Sequence, residues 1–265
     1  MNVLESFSLK GRVALVTGAG DPQGYGAQCA SALYEAGATV YIAARNDERM
    51  KAFVANYPGM LWKHLDMADQ ANIKNVVTEI NAECGHFDIL VNNAVARVAL
   101  KKWDLDMETF EASLRVNGAG LFRMTYEAAK VMKEQHKGVI VNIGSYMGVL
   151  GLNHFNYDGT GSQTDGQEWP SPAYHFEKGG MANFTRWAAS VLGKDGIRVN
   201  HITLIGCVSQ LDPNGTFGKQ HAACTLLGRM CGENDLKGGV VYLASDASAF
   251  VTGASLAIDG GYSAV

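Results

Sequence analysis

The sequence predicts an α/β fold built on a parallel, doubly wound sheet, and three observations carry that prediction. Short apolar runs rich in β-branched residues recur along the 265 residues, with helical patterns between them. The runs are continuous in apolarity instead of alternating, the pattern of strands covered on both faces. No internal repeat, low-complexity linker or break in composition interrupts the series. A single domain over 1–265 is therefore expected.

The elements follow in order. VALVT at 13–17 is the first expected strand, followed by TVYIA at 39–43, ILVNN at 89–93, VIVNI at 139–143 and IRVNHI at 197–202. Helical patterns occupy 24–36, 47–56, 70–84, 114–134 and 172–192. Pro172 suits the first turn of the last helix, with Ser171 before it as a cap. Between 151 and 172 lies GLNHFNYDGTGSQTDGQEWPSP, too rich in Gly, Asn, Asp and Pro to form an element. A segment of this kind inside a compact domain is expected to be an inserted lid or binding loop near the active site.

Composition narrows the functional classes. With 47% hydrophobic and 18% charged residues the chain can bury a substantial core. A net charge of -4 without any basic run gives no electrostatic footprint for nucleic acid or an anionic membrane, so the expected partner is a small molecule. The five cysteines lack CxxC spacing, which argues for buried thiols and against a disulfide framework or a metal site. The N-terminal MNVLESFSLKGR does not read as a signal peptide, and no apolar run spans a bilayer, so a cytoplasmic setting is expected.

Directly after the first strand comes TGAGDPQGYG, then a helical pattern. Gly18, Gly24 and Gly26 would let the backbone turn sharply, approach a pyrophosphate and pack helix against strand, with the helix N-terminus facing the phosphates. Such a turn also serves as a plain connection, yet strand, glycines and helix together favour a dinucleotide, with Tyr25 among the expected contacts. The second strand runs into Ala44-Arg45, where a carboxylate would select a ribose hydroxyl and an arginine a 2′-phosphate. Arg45 therefore points to NADP(H), with a solvated surface charge as the plainer reading. Asp21, inside the glycine loop, pulls towards NAD if it faces the adenosine ribose.

Beyond these residues, nearly the whole chain resembles the short-chain dehydrogenase/reductase family. Asp66 in HLDM matches the family's acidic residue near the adenine ring, and Asn92-Asn93-Ala94 its NNA motif. Asn117 in RVNGAG, Ser145 in NIGSYMG, and Tyr174 with Lys178 in YHFEK match its catalytic Asn, Ser, Tyr and Lys. The C-terminal half is similar too, with a last strand ahead of Asp259-Gly260-Gly261. Three departures stand out. Five residues separate Gly18 from Gly24 instead of three, and Leu204-Ile205 replaces the common Pro-Gly, although Ser209 stands where a Thr often meets the nicotinamide carboxamide. The 151–172 insertion also lengthens the path from Ser145 to Tyr174.

The resemblance implies a Rossmann-like domain, an NADP cofactor with NAD as the alternative, and hydride transfer between a secondary alcohol and a ketone. It makes Tyr174 the general acid/base, with Lys178 lowering its pKa and holding the nicotinamide ribose. Ser145 would donate to the substrate oxygen, and Asn117 would hold a water linking Lys178 to solvent. A fixed ammonium about 4 Å from a phenol, at an effective dielectric of ~20, is worth roughly 4 kcal/mol, or about three pKa units before desolvation subtracts. A second Tyr-Lys pair, Tyr126 and Lys130, precedes Ser145 and reads as packing plus a solvated lysine.

Expected substrates are a sugar, polyol or other oxygenated metabolite, or a 3-oxoacyl thioester. A hydroxysteroid, or a catalytically silent cofactor-binding role, stands as the alternative. The stretch 207–232 is where this family covers its substrate. His154, His175, Asp165, Glu168 and Trp169 are weaker candidates for substrate contact, and Phe155, Tyr157 and Met147 for an apolar wall. Met124, Met132 and Met181 read as core filling or subunit contacts. The resemblance also implies a homotetramer or dimer assembled through the helices at 114–134 and 172–192.

Overall fold

Apolar runs flanked by helices leave only one economical arrangement, a sheet with both faces covered, and the computed structural model has it. It describes residues 2–97, 106–157, 159 and 172–264. The seven strands are β1 (Val13–Thr17), β2 (Thr39–Ala44), β3 (Leu61–His64), β4 (Ile89–Asn92), β5 (Gly138–Ile143), β6 (Ile197–Leu204) and β7 (Ser255–Ile258). They lie in the order β3-β2-β1-β4-β5-β6-β7, every pairing parallel. This is the doubly wound, Rossmann-like sheet the sequence predicts.

Alternate residues of the central strands feed two cores. Ala14, Val16, Val40 and Ile42 pack against α1 (Tyr25–Glu35), α2 (Asp47–Val54) and α8 (Asp235–Ala244). Leu15, Tyr41 and Leu90 pack against α3 (Gln70–Cys84), α5 (Leu121–Gln135) and α6 (Pro172–Leu192). Met124, Met132 and Met181 are buried, consistent with core filling. The cysteines divide, with Cys29, Cys207 and Cys231 buried and Cys84 and Cys224 half-buried, all five free.

Two elements depart from expectation. The helix expected over 114–134 is α4 (Met107–Leu114), a π-helical turn at Arg115–Gly120, and then α5. A π turn inserts one extra residue per turn and recurs at functional sites, and it is where Asn117 sits. The apolar-run search also passed over β3 and β7. Both are edge strands in which no residue is fully buried, so neither carries a continuous apolar run. Lys63 on β3 is held by Glu79 at 2.9 Å and Glu83 at 2.5 Å, a charged edge that discourages further pairing. The helix α7 (Thr216–Ala223) lies within 207–232.

Candidate active site

In a doubly wound sheet, ligands bind beyond the carboxyl ends of the strands where the winding reverses. Here that place is beside β1, from which the chain goes outward to β2 and later returns on the other side as β4. A cleft of about 610 Å³ opens there. Gly18, Gly24, Tyr25, Gly26, Arg45, Asp66, Asn93 and Ala94, all expected from sequence, line it together.

The glycines are needed for identifiable reasons. Gly18 has φ +70°, and an added Cβ would meet the Ala94 Cα at 2.6 Å. At Gly26 a Cβ would lie 2.6 Å from Asn93 Nδ2 and 2.7 Å from the Gly18 carbonyl. Asn93 explains the crowding, because its amide donates to the carbonyls of Thr17 and Gly18 at 3.0 Å each. The NNA segment thus braces the glycine loop. The Tyr25 hydroxyl donates to the Ile205 carbonyl, tying α1 to the segment after β6. Asp66 turns one carboxylate oxygen onto its own loop, accepting from Ala68 N at 2.9 Å.

Ser209 is tied to the glycine loop. Its hydroxyl donates to the Gln23 carbonyl at 2.8 Å, inside the glycine loop, so it is already engaged and Gln210 lines the cleft beside it.

The four catalytic candidates come together beside the cleft without lining it, Tyr174 within electrostatic reach of Tyr25 and Arg97 of its wall. Ser145 lies two residues past β5 and caps the turn Tyr146–Gly148, accepting from Met147 N at 3.2 Å. Tyr174 and Lys178 share one face of α6, with the lysine nitrogen 5.7 Å from the centre of the phenol ring. The Tyr174 side chain is hydrogen-bonded to Ser145, so the insertion has not displaced one from the other. Lys178 is buried and donates to the Ile143 carbonyl at 2.7 Å. Asn117 is built into the protein. Its Oδ1 accepts from Ala96 N at 2.8 Å, and its Nδ2 faces Ala96 O at 2.9 Å and Glu177 Oε2 at 2.7 Å. Both ends of the side-chain amide are thus anchored to protein groups.

The sequence of residues 18–263 matches the family described as enoyl-(acyl carrier protein) reductase. The chain belongs to the short-chain dehydrogenase/reductase family. It is similar to D-threitol dehydrogenase of Mycolicibacterium smegmatis, 33% identical over 97% of this chain and 94% of that one. It is likewise similar to cis-4-hydroxycyclohexanecarboxylate dehydrogenase of Sinomonas cyclohexanicum, at 32% over 96% and 97%. A solved gluconate 5-dehydrogenase from Burkholderia cenocepacia, in complex with NADP and tartrate, superposes with a TM-score of 0.86 at 28% identity, each chain fully covered. As a short-chain dehydrogenase/reductase the protein is an oxidoreductase acting on alcohol groups with a nicotinamide cofactor.

In this short-chain dehydrogenase/reductase the electrostatics differ from the simple two-body expectation. Burial raises the Tyr174 phenol above its ordinary value, while Arg97 and the Ser145 hydrogen bond pull it down and Glu177 pushes it up. Lys178 is itself pushed down to about 8, first by burial and then by Arg97, with Glu177 opposing. Lys178 is therefore one part of a wider field at the phenol. A buried ammonium is costly to keep charged, and Arg97 supplies the cationic field at Tyr174.

Sequence reasoning missed Arg97, Arg49 and Glu177. Arg97 lies three residues past the NNA motif and Arg49 one turn beyond Arg45, and both line the cleft. The only signal for Glu177 was a carboxylate placed between Tyr174 and Lys178 on a helix whose inner face is otherwise mostly apolar. His154 is exposed on the short turn His154–Tyr157, and His175 is half-buried on α6. Phe155 is exposed, Met147 is half-buried, and Tyr157 is buried against Phe217 with ring centres 5.4 Å apart. Asp165, Glu168, Trp169 and Ser171 lie outside the described residues. Among the described residues no cluster of potential metal ligands occurs, and no helix is long and apolar enough to cross a membrane.

Proposed function

We propose that the protein interconverts a secondary alcohol and a ketone on a small polyhydroxylated metabolite, a polyol or a hydroxy acid, with NADP(H) as its preferred cofactor. One observation carries the reading, a cleft with guanidinium groups at each end. Arg45 and Arg49 line it where β2 ends, and no carboxylate stands at Ala44 to favour an unphosphorylated ribose. Arg97 lines the other end, within electrostatic reach of Tyr174 and Lys178. A cation there suits substrates carrying a carboxylate or several hydroxyl oxygens. The names of the relatives, a threitol, a hydroxycyclohexanecarboxylate and a gluconate dehydrogenase, are in keeping with that class.

The residues present fit a dinucleotide. Gly24, Tyr25 and Gly26 line the cleft at the start of α1, where the first-turn N–H groups of a helix suit a pyrophosphate, and the packing of Gly18 and Gly26 on Asn93 and Ala94 fixes that loop. A nicotinamide bound there supplies or accepts the hydride. The chain's own residues do the rest. The Ser145 hydroxyl holds the substrate oxygen, and Tyr174 gives that oxygen a proton on reduction and takes it back on oxidation. Lys178, on the same face as Tyr174, serves the ribose and the phenol. Segment 207–232, with α7, closes over the substrate.

The outer faces of α5 and α6 form the proposed subunit contact. Phe122, Tyr126 and Trp187 are about half exposed there, and Phe122 and Trp187 both pack on Phe184. Exposed aromatic clusters of this kind mark protein–protein contacts.

The test is a substrate panel of tetritols, aldonates, 3-oxoacyl thioesters and hydroxysteroids, assayed with both nicotinamide cofactors by absorbance of the reduced form. Polyols or aldonates should give the highest kcat/KM, and NADP should exceed NAD by at least about tenfold, the worth of one charge-assisted hydrogen bond. Arg45→Ala should erase most of that preference. Equal or better turnover with NAD, or preferred turnover of steroids or thioesters, overturns the respective half.

A further inference from the structure

A buried carboxylate beside the catalytic pair has no part in the mechanism above. Glu177 lies between Tyr174 and Lys178 in the sequence of α6 and is buried. Its Oε1 accepts from the Ser113 hydroxyl of α4 at 2.5 Å, and its Oε2 from the Asn117 amide of the π turn at 2.7 Å. Ser113 Oγ also lies 3.1 Å from Asn117 Nδ2, and its proton is directed to Glu177. Burial raises the Glu177 carboxyl above its ordinary value, and the donors on its two oxygens together with Lys178 pull it back towards the ionised acceptor form. Removing a partner from a buried charge of this kind is costly, which makes the clamp rigid.

We propose that Glu177 is a positioning residue of the hydride-transfer site: its two hydrogen bonds lock Asn117 and the π turn onto the catalytic helix, and its negative charge sets the proton affinity of Tyr174 and Lys178. This rests on the function proposed above. The charged groups it works with are few. Tyr174 and Lys178 share its helix, and Arg97 opposes it from the segment after β4. From α4 and the π turn only the neutral Ser113 and Asn117 reach it. His201 of β6 faces Lys178 from the other side and is held neutral by burial. Glu177 and Arg97 thus act with opposite sign on the phenol, the carboxylate favouring its protonated form and the guanidinium its ionised form.

Glu177→Gln keeps the shape of the clamp, since a glutamine oxygen can accept from Asn117 while its amide donates to a reversed Ser113 hydroxyl, and it removes only the charge. In the oxidative direction the acid limb of the kcat profile should move to lower pH, giving severalfold more turnover than wild type on the rising part of the curve. An ultraviolet tyrosinate titration of the cofactor-free protein, with the Tyr174→Phe curve subtracted, should move the same way. Glu177→Asp retains the charge but withdraws it by one methylene from both donors. It should lose about tenfold in kcat with its acid limb in place, the worth of one hydrogen bond to a charge. Coincident curves for wild type and Glu177→Gln, or an equal displacement in Glu177→Asp, overturn the inference. If Glu177→Gln is not recovered folded, Ser113→Ala takes its place: lower kcat at unchanged cofactor KM supports the clamp, and unaltered kcat overturns it. Failure of the parent reading is separate, because it appears as wild-type protein inactive on the whole panel or as Tyr174→Phe undiminished.

Discussion

Two tyrosines each carry a lysine four residues on, and the ammonium groups sit at nearly the same distance from their rings, 5.7 Å for Lys178 over Tyr174 and 5.8 Å for Lys130 over Tyr126. Spacing and local geometry therefore cannot separate them. Environment does. Tyr126 is 50% exposed on the outer face of α5, whereas Lys178 is 5% exposed beneath the cleft and Tyr174 is hydrogen-bonded to Ser145. At the exposed pair water screens the charge; at the buried one burial, Arg97 and Glu177 compete directly. Tyr174→Phe, which removes one oxygen from an otherwise intact site, should lower kcat by about 10²-fold or more, with the unfolding midpoint little changed. Steady-state kinetics and thermal melts on the same preparation check this. Tyr126→Phe should leave kcat within about twofold of wild type.

At the scale of elements, legibility tracked burial. The five strands with continuous apolar runs, and the helices Gln70–Cys84 and Pro172–Leu192, were readable because each must hide a face, and a hidden face writes a period into the sequence. Strands β3 and β7 escaped because an edge strand hides less and tolerates charge. The π turn at Arg115–Gly120 escaped because one extra residue in a helix barely alters the apolar pattern. The glycine loop was readable despite its added length, since the close approach of Asn93 demands glycine at Gly26. Gly26→Ala forces a Cβ against that amide and should cost about 1–3 kcal/mol of stability together with at least tenfold in cofactor affinity. Denaturant melts and a cofactor fluorescence titration read the two losses separately.

For the molecule as a whole, two buried histidines predict the acid response. Burial holds His201 and His221 down at about 4, and His221 Nε2 accepts from Gly206 N at 3.1 Å, a bond that protonation would break. Unfolded histidines titrate near 6.5, so between about pH 6.5 and 4 the unfolded chain binds more protons than the fold. The histidine contribution should be level above pH 7 and fall through that window, by up to roughly 3 kcal/mol for each histidine, before the carboxylates contribute. Denaturant unfolding from pH 7.5 to 4.5 measures it, and His221→Gln should flatten part of the slope. In the proposed assembly, Trp187→Glu places a charge among Phe122, Phe184 and Tyr126 and should reduce the species seen by light scattering to a smaller oligomer or a monomer. The sequence by itself determined the winding of the sheet, the glycine loop and the order Asn, Ser, Tyr, Lys, because strand burial, backbone freedom and helical period are local demands that each residue meets alone. Only the tertiary structure decided which Tyr-Lys pair is buried, that Ser209 is already engaged, and that Arg97 and Glu177 flank the phenol with opposite charges. Those facts depend on distances between segments far apart in the chain, and electrostatic energy follows distance and burial without regard to sequence order.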